Sequence, residues 1–596
     1  MNGATAYRDA DAGEGLRIRL TREALAYTLI LLVALALRAP GLGAPPLSER
    51  EAGQAMAAWR LLTAGAVEPG LIESPLAFAG AVLSFALFGA SEGSARLLPM
   101  LAGVGLVLLP LGFRKPFGRL PMLIASALLA LSPGVVGASR QMSGGGAAVL
   151  CALLGLWALW RYTQKGDALS LVASGLWWGL ALLADFGTLL GALSLLTGLG
   201  AALLGDDEEG RTRQALRLAV RDVPWGIFAG ALLATVFLVG TLLLTNPRGL
   251  GAAADLLARL ASGVARRPPG APFVGGLLLL YEPPLFLFGL MGLVRGLASE
   301  QWPVRFLSGW AAGAMFVFFV YPGATPVHVL WIVVPLAALA GLALADTLAG
   351  PESGPLWGVA VHALLVTGLL AVAVLWAVSF TAAPAQPDGE GLTLALRLGL
   401  VGSMLLLALI VSLLSAGVWG GQHAWRGLAL GVLGLTLLMS LNGSAGLAYA
   451  RASDPHEPWH VAPGQPALRA LAETAHEVSA VTTGHPYTAT VTVQGSPDGL
   501  LAWALRDFDQ VTFVETPSPA VTSDMVVTTA EPDPLLGERY VGQDFVVVRA
   551  WRPGGLTFEE ALRWALFREA NTPGSEVRVI LWVREDIYTL LPNELR

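Results

Sequence analysis

The chain has 596 residues, of which 55% are hydrophobic and 13% are charged, and its formal net charge at pH 7 is −6. Repeated apolar runs of about 18 residues or more exclude a soluble enzyme, because roughly 20 apolar residues are what a helix needs to cross a bilayer. The small acidic excess argues against a nucleic-acid partner. The single cysteine, Cys151, excludes an intrachain disulfide.

Composition divides the chain into a long apolar part and a soluble part. The fold class that we predict is a polytopic α-helical membrane protein with a C-terminal extracytoplasmic α/β domain. The predicted parts are a cytoplasmic segment 1–22, a transmembrane domain 23–449 with an outer loop 41–94, a linker 450–465 and a soluble domain 466–596.

Thirteen apolar stretches predict membrane spans. The stretch 76–88 is too short to cross, so we expect it to lie at the membrane interface. The predicted spans are 23–40, 95–113, 120–138, 145–161, 168–184, 187–204, 223–245, 273–295, 306–321, 327–347, 356–381, 398–418 and 427–448.

Basic residues set the predicted orientation in the plasma membrane. With the amino terminus inside, the loops that carry Arg114, Arg161, Arg211 and Arg295 all fall on the inner side, as the positive-inside rule requires. The soluble tail then lies outside. The other predicted outer segments are 41–75, 139–144, Asp185–Phe186, 246–272, 322–326 and 382–397.

The first outer loop places two carboxylates, Glu49 and Glu51, at the start of a helical pattern. Residues at i and i+2 point to different sides of a helix, so only one of the two needs to face the membrane domain. Alternatively, the two residues are solvent-exposed acids that stabilise the start of the helix, because negative charge is favourable at the amino-terminal end of the helix dipole.

Several landmarks in this region resemble a known superfamily. Pro45-Pro46-Leu47, Glu51-Ala52, Pro75-Leu76, Phe88-Gly89-Ala90-Ser91-Glu92 and Ala95-Arg96-Leu97-Leu98-Pro99 occur in the order found in glycosyltransferase-C proteins of the family 39 type. These include the protein O-mannosyltransferases and the lipid A aminoarabinose transferases. Ala130-Leu131-Ser132-Pro133 and Ser139-Arg140 also fit.

A narrower resemblance covers nearly the whole chain. Thr245–Leu250, Leu280–Leu285, Leu501–Phe508 and Ile580–Arg584 are similar to segments of a prokaryotic branch of flippase-activity-associated membrane proteins. The resemblance implies a polyprenyl-phosphate sugar donor, membrane lipids as surroundings, and a protein or glycan acceptor on the outer face.

Such a reaction needs a carboxylate that activates the acceptor, and cations or a divalent metal that stabilise the leaving phosphate. The family's first-loop Asp-Glu pair is Arg50-Glu51 here, so Glu51 is the candidate base and Glu49 lies beside it. Other charged positions of the family pattern are replaced. We predict donor or phosphate contacts for Arg50, Arg140 and Arg248, and a helper or metal-ligand role for Glu73 and Asp185.

Two of these residues have alternative roles that the sequence leaves open. A carboxylate between two apolar spans, such as Asp185, is costly unless it lines a wet or paired site, but it can also cap the next helix. Arg140 can reach toward lipid headgroups. The histidines show no metal-ligand spacing, and we assign no cofactor beyond the metal that the family chemistry allows.

In the soluble tail, helical patterns alternate with β-branched runs, which predicts an α/β domain with a mainly parallel sheet. We expect it to bind or gate over the outer cavity, or to serve only for stability. The sequence as a whole favours a glycosyltransferase that uses Glu51 as base. The alternative is a catalytically degenerate protein that binds lipid-linked sugars or assists their flipping.

Overall fold

The computed structural model describes most of the chain. The predicted cytoplasmic segment lies almost entirely outside the described residues. The described ranges are 21–65, 71–204, 221, 223–265, 270–349, 355–382, 390–529 and 534–592.

Helices form the part of the chain that we predict to be transmembrane. Short 3-10 segments precede α6 and α17, and π-helical turns precede α15 and follow α20. The helices are α1 Arg22–Arg38, α2 Glu49–Ala64, α3 Pro75–Phe88, α4 Glu92–Ala95, α5 Leu97–Leu108, α6 Arg114–Phe117, α7 Arg119–Leu131, α8 Pro133–Ser139, α9 Gly145–Lys165, α10 Ala168–Ala184, α11 Gly187–Leu204, α12 Trp225–Gly240, α13 Gly249–Val264, α14 Gly270–Tyr281, α15 Leu290–Leu297, α16 Trp302–Val320, α17 Leu330–Ala349, α18 Leu356–Ala382, α19 Glu390–Trp419 and α20 Gly421–Ala445.

Within the described ranges, eight helices are long and apolar enough to cross a membrane, or ten if each of two bent pairs counts as one span. The chain is therefore a multi-pass membrane protein. Each of the thirteen stretches predicted as spans contains helix, but α10 and α12 have only 17 and 16 residues. The stretch predicted to lie at the interface is the 14-residue α3, about 21 Å long at 1.5 Å per residue.

Both bent pairs have proline at or beside the bend. The pair α7 and α8 bends by 59° next to Pro133, and the pair formed by α14 and the helix that follows it bends by 110° at Pro283-Pro284. Proline removes an amide donor and restricts the preceding residue, so it interrupts a helix. The predicted straight span 273–295 is thus a sharply broken one.

Helix α17 lies at the centre of the membrane domain, since 89% of an 18-residue window of the span that contains it is buried. Its Trp331 packs directly against Gly191 of α11, where an added Cβ would lie 2.3 Å from the indole ring. Small residues at helix contacts let backbones approach closely in membranes. This packing fixes α11, whose first residues border the candidate site.

The C-terminal domain contains a five-stranded sheet in the order β2-β1-β3-β5-β4. The pairings of β1 with β2 and β3 are parallel, but β5 pairs antiparallel with both β3 and β4. The prediction of a mainly parallel sheet therefore holds for only one half of it. The elements are α21 Ala467–Thr483, β1 Val491–Gln494, α22 Leu500–Ala504, β2 Val511–Val514, β3 Met525–Thr529, β4 Tyr540–Ala550, α23 Phe558–Phe567, β5 Ser575–Arg584 and α24 Glu585–Tyr588.

This domain shares one hydrophobic core with α2 and α3 of the first loop. Trp503 of α22 stacks on Phe85 of α3 with ring centroids 5.9 Å apart, and its indole N–H donates to Glu92 Oε1 at 3.3 Å. Arg60 of α2 forms an ion pair with Asp498. The domain is therefore fastened to the first loop by both apolar and polar contacts.

The segment predicted as a linker, 450–465, is folded against the membrane domain. Glu457 is completely buried, forms ion pairs with Arg451 and Arg568, and accepts a hydrogen bond from the Tyr281 hydroxyl. Trp459 packs edge-on against Tyr281 with centroids 6.0 Å apart. Buried charges with several partners hold a fixed geometry, so this segment is part of the structural frame.

The substitution Trp503→Ala tests the docking of the C-terminal domain. Trp503 is 1% exposed, so its truncation should destabilise the contact by about 3–5 kcal/mol. We expect a lower melting temperature of the detergent-solubilised protein and faster proteolysis of the domain. Leu535→Ala, at a position that is 78% exposed, should change neither, and equal effects of both variants would contradict the docking described above.

Candidate active site

A cavity of about 330 Å³ lies between the membrane domain and the segment 450–465. Its walls come from the first loop, from the turns after α8, α10 and α16, and from the segment 450–465. These segments, and Arg259 and Gly263 of α13, belong to the parts that the thirteen-span prediction places on one side. The exceptions among the lining residues are Arg96, Val327 and Leu447, which lie at the ends of predicted spans. The ionisable residues that line the cavity are Arg50, Glu51, Glu73, Arg96, Arg140, Asp185, Arg259 and His460.

Glu51 is fixed by the way in which α2 begins. Ser48 caps the helix, and its amide and hydroxyl donate to Glu51 Oε2 at 2.9 and 3.0 Å, which completes a capping box. Arg96 adds a two-pronged ion pair, with Nε to Oε1 at 2.9 Å and Nη2 to Oε2 at 3.0 Å. The Met142 amide donates to Oε1 at 2.7 Å.

These contacts determine the protonation of Glu51. Burial by itself would raise the pKa of Glu51, but the charge and hydrogen bonds of Arg96, with the amides of Ser48 and Met142, outweigh it and lower the pKa to about 2. A general base works best when its pKa lies near the operating pH. Glu51, the base predicted from the sequence, thus lies on the cavity wall, and both of its carboxylate oxygens already accept hydrogen bonds.

The two arginines beside Glu51 hold backbone carbonyls. Arg96 donates to the carbonyl oxygens of Leu42, Pro45 and Pro46 in addition to Glu51. Arg140 donates to the carbonyls of Arg38, Pro40 and Gly41 at 2.8–2.9 Å, where α1 ends. A cation at the carboxyl end of a helix is favourable, and Arg140 is buried rather than extended toward lipid.

Asp185 stands between α10 and α11 and combines the two roles that the sequence left open. Its Oδ1 accepts the Gly187 amide at 2.6 Å, so it caps α11. The same oxygen lies 2.8 Å from Nε2 of His328, and the side chain also lines the cavity. Within the described part of the chain, Oδ2 accepts no hydrogen bond, and the side chain is 16% exposed.

Glu73 and Arg259 face each other across the cavity edge, with Arg259 Nη1 3.6 Å from Glu73 Oε1. The Glu73 side chain is 43% exposed, so this pair contributes little stability. Gln54 of α2 accepts the amides of Glu73 and Ser74 and thereby holds the start of α3. Arg259 lies on α13, within the predicted outer segment 246–272, and was not predicted as a site residue.

His460 was not predicted as a site residue and enters the cavity from the segment 450–465. Its Nδ1 lies 3.0 Å from Nε2 of Gln141, whose amide group donates, so the proton of the neutral ring is on Nε2. Burial lowers the pKa of His460. The buried Nε2 has no partner among the described residues. The sequence gave no signal that His460 lines the cavity, because the residue lies in a polar, proline-rich segment that was predicted as a linker.

Two predicted site residues lie elsewhere. Glu49 Oε2 accepts the Leu500 amide at 3.3 Å, so this carboxylate caps α22 of the C-terminal domain and does not line the cavity. Arg248 is exposed before α13 and is also not among the lining residues. Arg50, which replaces the family's aspartate, is exposed at the cavity edge.

The carboxylates do not form a metal site. Among the described residues, no group of three or more His, Cys, Asp or Glu side chains is close enough to hold a metal ion. Both oxygens of Glu51 are engaged by Arg96, and Asp185 Oδ1 by His328. The oxygens that stay free on Asp185 and Glu73 are not joined by a third ligand among the described residues, so this donor set does not fit a divalent ion.

Comparisons with known proteins agree with this architecture. A family profile described as dolichyl-phosphate-mannose-protein mannosyltransferase matches residues 72–220, a quarter of the chain. The crystal structure of ArnT from Cupriavidus metallidurans bound to undecaprenyl phosphate matches with a TM-score of 0.56 and 16% identity, over 94% of this chain and 98% of that chain. The comparison with curated protein sequences gives no match.

Two further solved structures match less well. ArnT from Cupriavidus metallidurans in the apo state has a TM-score of 0.48 and 17% identity, over 82% of this chain and 85% of that one. The archaeal oligosaccharyltransferase AglB from Archaeoglobus fulgidus, in complex with an inhibitory peptide and a dolichol-phosphate, has a TM-score of 0.44 and 13% identity, over 82% and 64%.

The helices, the cavity and the docked α/β domain define a multi-pass membrane protein with a charged site at one end. Its fold is similar to that of the ArnT structure, which agrees at the level of the fold with the resemblance predicted from the sequence. The narrower resemblance to flippase-activity-associated proteins stays a prediction.

The substitution Glu51→Gln tests the ion pair. Because the folded pKa of about 2 lies below the ordinary 4.5, the pair stabilises fully above pH 4.5, and the contribution is lost as the pH falls toward 2. At neutral pH we expect a loss of about 3 kcal/mol, measured as a lower melting temperature. The difference in melting temperature between Glu51→Gln and the wild type should disappear as the pH falls toward 2. Glu73→Gln is the control and should lower the melting temperature much less. If Glu51→Gln left the melting temperature at neutral pH unchanged, the ion pair between Glu51 and Arg96 would not stabilise the fold.

Proposed function

We propose that the protein is a membrane glycosyltransferase that moves a sugar from a polyprenyl-phosphate-linked donor to an acceptor at the cavity described above. The reaction would take place on the outer face of the membrane, where the C-terminal domain is predicted to lie. The observation that carries the proposal is the cavity itself, because segments from four parts of the chain bring three carboxylates and four arginines together there.

The lining matches what the chemistry requires. Departure of a phosphate builds negative charge, which preorganised cations stabilise. Arg96 and Arg140 are committed to carbonyls and Glu51. Arg50 and Arg259 reach the cavity from its edge. Arg259 lies 3.6 Å from Glu73 Oε1 and donates to the Ile72 carbonyl at 3.4 Å, and a bound phosphate at the cavity edge would share its charge. The ArnT of similar fold holds undecaprenyl phosphate, and a lipid phosphate of that class is the donor carrier that we propose for this chain.

In this proposal Glu51 acts as a positioning residue. Its five accepted hydrogen bonds and its pKa of about 2 leave it a poor proton acceptor at neutral pH. It instead holds Arg96, the first loop and Met142 in place. The sequence-based assignment of Glu51 as the base is thus replaced here by a role in shaping the cavity.

A second candidate function is binding of a lipid-linked sugar without turnover, as in a flippase-assisting protein. The engagement of both Glu51 oxygens favours it, as does the replacement of the family's aspartate by Arg50. The two functions share the ligand and differ in whether the sugar-phosphate bond breaks, so one experiment separates them.

The purified full-length protein should bind undecaprenyl phosphate and consume radiolabelled polyprenyl-phosphate mannose in the presence of membrane extract as a source of acceptors. Loss of a charge-assisted hydrogen bond costs about 1.5–3 kcal/mol, so Arg259→Ala should weaken undecaprenyl phosphate binding by roughly tenfold or more. Binding is measured by the ligand-induced rise in melting temperature.

Arg248→Ala is the matched control, because Arg248 precedes the same helix and does not line the cavity. It should bind as wild type does. Binding by wild type without release of labelled sugar from any donor tried would favour the second function. Equal weakening by Arg248→Ala and Arg259→Ala would place the lipid phosphate elsewhere.

A further inference from the structure

Three carboxylates line the cavity, and their surroundings differ. Glu51 is paired with Arg96 through both oxygens. Glu73 is the most exposed of the three, and the charge of Arg259 lies 3.6 Å from its Oε1. Asp185 has one oxygen bound and one oxygen free of hydrogen bonds from the described residues, and it pairs with no arginine or lysine there. Only Asp185 therefore offers an accessible, unneutralised carboxylate oxygen in a fixed position.

His328 fixes that position. The Thr325 amide donates to His328 Nδ1 at 3.0 Å, and an amide N–H can only donate, so Nδ1 carries no proton and Nε2 carries one. The Nε2–H then donates to Asp185 Oδ1 at 2.8 Å. An uncharged donor orients the carboxylate without cancelling its charge.

The histidine is itself held rigidly. It is 1% exposed, stacks on Phe318 with centroids 5.4 Å apart, and meets the edge of Phe186 at 4.9 Å. Phe318 belongs to α16 and Phe186 follows Asp185 directly, so the ring is fixed from two sides. The Gly187 amide adds a second donor to Oδ1 at 2.6 Å. Two donors occupy Oδ1, Oδ2 accepts no hydrogen bond from the described residues, and the side chain lines the cavity.

We propose that Asp185 is the catalytic base and that His328 is its positioning residue, an inference that rests on the glycosyl transfer proposed above. The acceptor O–H bond breaks and its proton goes to Asp185 Oδ2. The acceptor oxygen forms a bond to the anomeric carbon of the sugar, and the bond from that carbon to the phosphate oxygen breaks. Its electron pair leaves with the polyprenyl phosphate, so atoms and charges balance, and Asp185 later returns the proton to solvent.

The substitution Asp185→Asn is the sharpest test, because the asparagine carbonyl oxygen can still accept the Gly187 and His328 hydrogen bonds. Folding and binding of undecaprenyl phosphate should therefore stay as in wild type. The rate constant kcat for mannose transfer should fall by about 10²- to 10⁴-fold, the range for loss of a general base. Asp167→Asn is the control, since Asp167 caps the other end of the same helix α10 and lies outside the cavity.

Substitutions of His328 separate positioning from mere packing. His328→Gln keeps an N–H donor near the Nε2 position, whereas His328→Leu removes it. We expect His328→Leu to lower kcat by roughly 10²-fold with KM within about threefold of wild type, and His328→Gln to recover most of that loss. A purely structural role would instead lower the melting temperature and move kcat alike in both variants.

The outcomes separate this inference from the proposed function. If the wild-type protein releases labelled sugar from none of the donors tried, both the proposed function and this inference are wrong. A wild-type protein that transfers mannose, together with an Asp185→Asn variant that keeps its kcat, removes this inference alone. A loss of kcat in Asp185→Asn accompanied by loss of undecaprenyl phosphate binding would also overturn it, since the residue would then bind the donor rather than accept the proton.

Discussion

The buried ion pair between Glu51 and Arg96 is the contact on which the shape of the cavity depends. It joins the start of α2, the carbonyls of the first loop, the start of α5 and the Met142 amide. Removing one partner of a buried pair leaves an uncompensated charge, so the pair persists only as a unit. Because Glu51 and Arg96 already form hydrogen bonds with each other and with the backbone, we expect other residues of the cavity to carry out the chemistry.

Hydropathy alone predicted most of the membrane architecture, because the bilayer demands long apolar helices with satisfied backbones. It also grouped the segments that meet at the cavity, including Asp185–Phe186 and 139–144. It could not predict the 110° bend at Pro283-Pro284, because the hydropathy of an apolar segment is the same whether its helix is straight or broken. Nor could it reveal that β5 runs antiparallel, because pairing direction depends on contacts far apart in sequence.

At the site, the sequence singled out Glu51, Arg140 and Asp185, and all three line the cavity. It did not reveal their partners. Arg96 belongs to the family motif Ala95–Pro99. Its ion pair with Glu51 could not be predicted, because the two residues are 45 positions apart and such a pairing leaves no local pattern. His328 was not predicted as a site residue, because its contact with Asp185 spans 143 residues and leaves no local pattern. Charged residues are thus recognisable from the sequence, but their protonation and orientation come from tertiary contacts.

The sharing of one core between α2 and the C-terminal domain has a consequence for biosynthesis. The cavity walls extend from residue 45 to residue 463, and the domain that supports α2 is synthesised after all of these segments. The amino-terminal helices must therefore enter the bilayer while the first loop is still unpaired with its support. The site is therefore completed late in maturation, because a nascent chain that ends before residue 463 lacks part of the cavity wall.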